Sequence, residues 1–149
     1  MTLRGAIIVA LMLAAKPLAG KDLCVVVEDR ANLNFQARER FQEELATLVA
    51  AGGEECVLVR FRQVPSGRHA TALGLAYADR GRILPIIEVY VRPVERLLNK
   101  EFHAAALGRA LARVAAHEIL HYRLQRFTHD QAGLFKESLG QADLTNTAR

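Results

Sequence analysis

The chain has no tryptophan, three tyrosines, six phenylalanines and two cysteines among its 149 residues. A nucleic-acid surface usually shows a concentrated Lys/Arg stripe interleaved with aromatic residues; no such stripe is present, so nucleic acid is not an expected partner. Two cysteines rule out a disulfide scaffold and leave room for one bridge at most. No uninterrupted apolar run reaches the roughly 18–20 residues that a helix needs to cross a bilayer. Internal repeats and low-complexity tracts are also missing. What remains is 51% hydrophobic and 24% charged, an ordinary globular balance, at a length that suits one domain.

Residues 1–20 read as a signal peptide. Arg4 supplies a short positive segment, Ala6 to Ala15 is apolar without interruption, Lys16 and Pro17 end the run, and Ala19-Gly20 offers small residues for cleavage. The bland alternatives are a buried N-terminal helix or an uncleaved anchor. Lys21 stands where a lipidated cysteine would be needed, so no stable membrane anchor is expected after cleavage. Residues 21–149 then form the mature domain, periplasmic or secreted. Losing Arg4 and Lys16 lowers the net charge from +4 to +2, which weakens any argument for a polyanionic partner. In an oxidising compartment Cys24 and Cys56 can pair. Two buried free thiols, packed as small hydrophobes, are the slightly favoured alternative.

Residues 23–28 form a β-branched run that reads as a buried strand. Leu33, Ala37, Phe41, Leu45 and Leu48 follow at helical spacing, and Gly52-Gly53 is expected to close that helix. Val57, Val59 and Phe61 then alternate with polar residues across a strand at 56–64. This βαβ unit implies a parallel strand pair. Residues 65–82 read as loop, with one short ordered piece around Ala70 to Ala76. Residues 83–91 read as a strand, and Pro85, which has no N–H to donate, suits an edge position. A short helix or turn follows Pro93. Phe102 to Leu124 is a long Ala- and Leu-rich helix, apolar almost all round and therefore buried. The tail from Gln141 is polar and expected to fray.

The chemistry concentrates in His117-Glu118-Ile119-Leu120-His121. Histidines at i and i+4 lie on one helix face, one turn apart, and can bind the same ion. Glu118 sits off that face, where its carboxylate can serve a water at the metal without being a ligand. A catalytic zinc typically takes three protein ligands. The next candidate is His129, if the chain reverses after the helix. The competing reading is a pair of core histidines bonded to carbonyls, with Glu118 in a salt bridge to Arg113 or Arg123. Burying these groups unpaired is costly, which favours the metal site. Tyr122 points off the ligand face, His103 lies too far back along the helix, His69 reads as loop, and Asp130 is either a turn residue or a partner for a ligand histidine.

The segment HEILHYRLQRFTHDQAGLF resembles the pattern HExxHxLxxxxxHxxxGLM of small exported bacterial proteins regarded as metzincin-like zinc peptidases. The resemblance extends to the opening strand, the helix ending in an Ala-Gly-Gly turn, the Cys-bearing second strand and Ala142-Asp143-Leu144. It implies an α+β, zincin/metzincin-like fold: a small mixed β-sheet, a packing helix and a long active-site helix. It also implies Zn2+ held by His117, His121 and His129, Glu118 as general base, and a peptide or protein substrate. Gly133-Leu134-Phe135 takes the place of the turn beneath the metal, with Phe135 where methionine is usual. Leu120 and Gln125 stand where the pattern has glycine. Because a non-glycine is uncommon in a left-handed conformation, a different turn is expected at Gln125. By resemblance to zincins, an extended peptide would add to an edge strand near Ile86–Val91. Two further readings stay open: a non-catalytic zinc-binding structural or interaction module in which Glu118 is idle, and a metal-free interaction domain. The sequence does not give an oligomeric state.

Overall fold

The computed structural model describes the backbone of residues 8–11 and, with side chains, residues 23–49, 53–67, 69–99 and 102–146. The expected signal segment therefore lies outside the described residues apart from Ile8–Leu11. That piece forms strand β1, antiparallel to β2 (Leu23–Asp29).

The βαβ unit is present. β2 pairs in parallel with β3 (Glu55–Arg62), and helix α1 (Phe35–Leu48) connects them. The Asp29 carboxylate accepts from the N–H groups of Ala31 and Leu33 at 2.9 and 3.0 Å, which shapes the turn out of β2. Asn34 then caps α1 by accepting from the Ala37 N–H at 2.8 Å. The helix stops at Val49, before the expected glycines, because this β-branched residue takes an extended conformation and is itself buried. Phe41 from α1 meets Phe61 from β3 edge-on at 4.7 Å. Fully burying each ring is worth roughly 1.5–3 kcal/mol.

Cys24 and Cys56 are joined by a disulfide, contrary to the slight preference for free thiols. The parallel register places them directly opposite one another, with Cα atoms 4.2 Å apart. Sequence spacing gave no sign of this, because the pairing depends on register.

The expected loop at 65–82 contains a strand, β4 (Gly74–Asp79), which forms a hairpin with β5 (Arg82–Tyr90). Arg80 and Gly81 both have positive φ, 47° and 77°, as a two-residue primed turn requires. The strand order is β1-β2-β3-β5-β4. β5 is therefore interior, not the edge expected from Pro85. The register runs from Ala76↔Ile87 to Ala78↔Ile83, so β5 carries extra residues there, and the parallel ladder with β3 covers Ile86 to Tyr90. Pro85 sits in the bulged stretch, where no ladder donor is missed.

Helix α2 (Val91–Leu98) leads to α3 (Ala104–Leu124), which His103 caps through Nδ1. α1 and α3 cross at Gly108, where an added Cβ would lie 2.3 Å from the Ala37 carbonyl oxygen. The tail is held by a short helix, α4 (Gln141–Thr145), instead of fraying at once. Arg113 of α3 donates to the carbonyls of Asp143 and Asn146 at 2.7 and 2.6 Å and pairs with Glu44 of α1 at 3.1 Å. The result is an α+β fold, a small mixed sheet with a packing helix and a long helix. Val57, Val59, Phe61, Ile87 and Val89 line the core. By alternation the other sheet face carries the ladder Glu28, Arg60, Glu88. There Arg60 pairs with Glu28 at 2.5 Å and with Glu88 at 3.5 Å.

Candidate metal centre

α3 runs through the core, so the turn that carries His117 and His121 is buried with it. One helical turn separates the two residues, and their ring centroids lie 5.0 Å apart. Each Nδ1 meets a backbone carbonyl, His117 with Leu134 at 2.8 Å and His121 with Arg126 at 2.6 Å. A carbonyl only accepts, so each Nδ1 donates. In the neutral rings Nε2 therefore keeps its lone pair. Burial holds both imidazoles below the ordinary histidine pKa, against the opposing pull of the two carbonyls, and this favours the neutral, ligating form.

The third histidine returns through a tight bend. Gln125 ends α3 in the left-handed conformation, φ 49° and ψ 40°, so the turn that a glycine would make is made here by glutamine. Its N–H reaches the carbonyls of His121 and Tyr122, and the Arg126 N–H bonds to His121 O at 3.2 Å. Left-handed backbone costs an ordinary residue about 1–2 kcal/mol. His129 then lies in reach, with its Nε2 3.0 Å from that of His121 and its ring 5.2 Å from that of His117. Gly133, at φ 80°, turns the chain again. The Asp130 N–H bonds to Phe135 O at 2.9 Å. Phe135 is buried beneath all three imidazoles, at centroid distances of 5.4, 4.7 and 5.6 Å.

One ligand atom from each of His117, His121 and His129 can be chosen so that all lie within 4.8 Å of one another. A tetrahedral ion with bonds of about 2.0–2.1 Å spaces its nitrogen donors roughly 3.3 Å apart. The His121–His129 nitrogen spacing of 3.0 Å is close to that value, and the whole set falls within 4.8 Å. Three imidazoles, two already oriented by carbonyls, fit a transition-metal ion and suit several of them.

Glu118 lines the same cleft as the three histidines. Burial pushes its carboxyl up to about 7, against the lowering effect of a hydrogen bond from the Ala76 N–H of β4. Gly74 permits this approach: an added Cβ there would meet Val114 Cγ1 at 2.8 Å and Glu118 Cγ at 3.0 Å. The cleft holds about 540 Å³ and runs between β4 and α3. Leu73, Leu97, Val114 and Leu139 give it an apolar wall, and Phe127, 56% exposed, stands at its rim.

The competing salt bridge from Arg113 to Glu118 does not form, because Arg113 is engaged with Glu44 and α4. Asp130 pairs with Arg126 at 3.0 Å, and no hydrogen bond joins it to a histidine among the described residues. Tyr122 points away from the ligands and donates to Glu55. His69 and His103 are not in the cluster. Sequence reasoning missed the carbonyls of Leu134 and Arg126, since backbone acceptors leave no residue signature. It also missed β4, whose edge replaces Ile86–Val91 beside the site. No helix among the described residues is long and apolar enough to cross a membrane, and the disulfide is consistent with an exported protein.

Compared with protein-family models, curated proteins and solved structures, the chain matches none.

Proposed function

We propose that the chain is an exported, zinc-dependent metallopeptidase of zincin-like, metzincin-like fold. The observation that carries this reading is the convergence of His117, His121 and His129 in one cleft with Glu118. A mixed sheet, a packing helix and a long helix bearing His-Glu-x-x-His are the parts that the resemblance implies, and they support it.

His117, His121 and His129 hold the ion, and the carbonyls of Leu134 and Arg126 keep two of the rings in orientation. Zinc supplies Lewis acidity toward a scissile carbonyl and acidifies water. Glu118 takes the proton of the attacking water and passes it to the leaving amine, work suited to a carboxyl whose pKa lies near 7. The outer edge of β4, the end strand of the sheet, aligns an extended peptide along the cleft by main-chain pairing.

A peptide-library cleavage screen with zinc-loaded protein, run beside Glu118→Gln, tests the reading. The variant should keep its metal and lose cleavage by roughly 100-fold or more. If both forms retain metal and cleave equally, or neither cleaves, the non-catalytic zinc module is the better description.

A further inference from the structure

We infer that Gln125 is a positioning residue for the metal site, its side-chain amide standing in for a strand and fixing the bend that brings His129 to His121. This inference rests on the metal-binding part of the proposed function.

The parallel ladder between β3 and β5 covers Ile86 to Tyr90, and Ile83 lies before it. There the Gln125 amide pairs with both main-chain groups of Ile83. Its Oε1 accepts from the Ile83 N–H at 3.0 Å, and its Nε2 donates to the Ile83 carbonyl at 2.9 Å. The same Nε2 donates to Tyr122 O at 2.8 Å. A single side chain thus ties the last turn of α3 to the start of β5. Ile83 is itself buried and lines the cleft.

The position is unusual for glutamine, which has no glycine-like freedom at φ 49°. The clamp opposes that strain. The residue that follows it, Arg126, presents the carbonyl that orients His121. Its guanidinium lies 5.2 Å from the centre of the Phe135 ring and pairs with Asp130, next to His129. Displacing Gln125 therefore disturbs one ligand through its carbonyl and another through the bend. With the clamp in place the bend is ordered before the ion arrives. Without it, binding must do that ordering.

The test is a Zn2+ titration of the full chain, wild type against Gln125→Gly and Gln125→Asn, with metal-free thermal unfolding and amide exchange. Glycine accepts the left-handed conformation without strain, and this relief offsets part of the cost of leaving the buried Ile83 main-chain groups without the amide, so the metal-free Gln125→Gly protein should still fold, with a melting temperature within a few degrees of wild type. Its zinc affinity should fall about tenfold or more, and the Ile83 amide should lose protection. Asparagine tolerates the conformation but is one methylene short of Ile83, so it should behave as glycine does. Wild-type affinity in Gln125→Gly would overturn the positioning role while leaving the metal site standing. Absence of zinc binding by the wild type would overturn both, and the Ile83 exchange data would still report whether the clamp exists.

Discussion

The Nε2 atoms of His121 and His129 face each other at 3.0 Å, although the residues are eight positions apart and a left-handed turn lies between them. The opposite nitrogen of His121 is occupied by the Arg126 carbonyl. The bend therefore aims one ring at the other and also fixes which of its nitrogens faces inward. With His121 Nε2 left as an acceptor, the pair can share a proton through a His129 Nε2–H, and with His117 beside them the three rings can take an ion in that proton's place.

Phe135 is the floor of this arrangement. Truncation to alanine should cost about 3–5 kcal/mol in unfolding free energy, as removal of a buried aromatic usually does. It should also weaken metal binding, because all three rings and the Arg126 guanidinium rest on it. Phe135→Met should recover most of both. Thermal unfolding and a zinc titration on the pair of variants check this; an alanine variant as stable as wild type would remove Phe135 from the account.

The disulfide closes a loop with a sequence separation of 32. A double Cys24→Ser, Cys56→Ser variant should lose about 3–4 kcal/mol by the chain-entropy argument, with metal affinity little changed, because the bridge lies in the β2–β3 pair away from the histidines. Urea unfolding of the wild type with and without reductant should show the same loss. No shift in midpoint would mean that the bridge contributes nothing.

Two sources of acid sensitivity are expected: the buried imidazoles of His117 and His121, held below the ordinary histidine value, cost stability as pH falls below about 6.5, and the charged face of the sheet adds to this at lower pH. Arg60, with Arg30, holds the Glu28 carboxyl below its ordinary value of 4.5, outweighing the effect of burial. At Glu88 burial pushes upward but is overcome by the Tyr90 hydroxyl and Arg62. Groups depressed in the folded state contribute stability above their unfolded pKa and lose it as pH falls through the folded value. Stability to urea should therefore drop further below about pH 4.5, and Glu28→Gln should flatten the slope in that lower range. A profile equally steep in the variant would place the acid sensitivity elsewhere.

His117, Glu118 and His121 were legible because a helix converts four-residue spacing into a shared face without reference to the rest of the fold. The β2–α1–β3 unit was legible for a similar local reason: periodicity changes from two to helical and back. β4 was not, since Gly-Leu-Ala-Tyr-Ala-Asp has little β-branched character and becomes a strand by pairing with β5. Pro85 misled because its missing donor is absorbed by a bulge, a property of the pairing and not of the strand. Gln125 reads as an obstacle to the turn until Ile83, 42 residues earlier, supplies partners for its amide.

The most direct measurement is a Zn2+ titration of the wild-type chain beside His129→Ala. One equivalent should bind to the wild type, and the variant should bind at least about 100-fold more weakly, since only two helical ligands remain. An equal affinity in the two proteins, or no zinc bound by the wild type, would contradict a centre built from these three imidazoles.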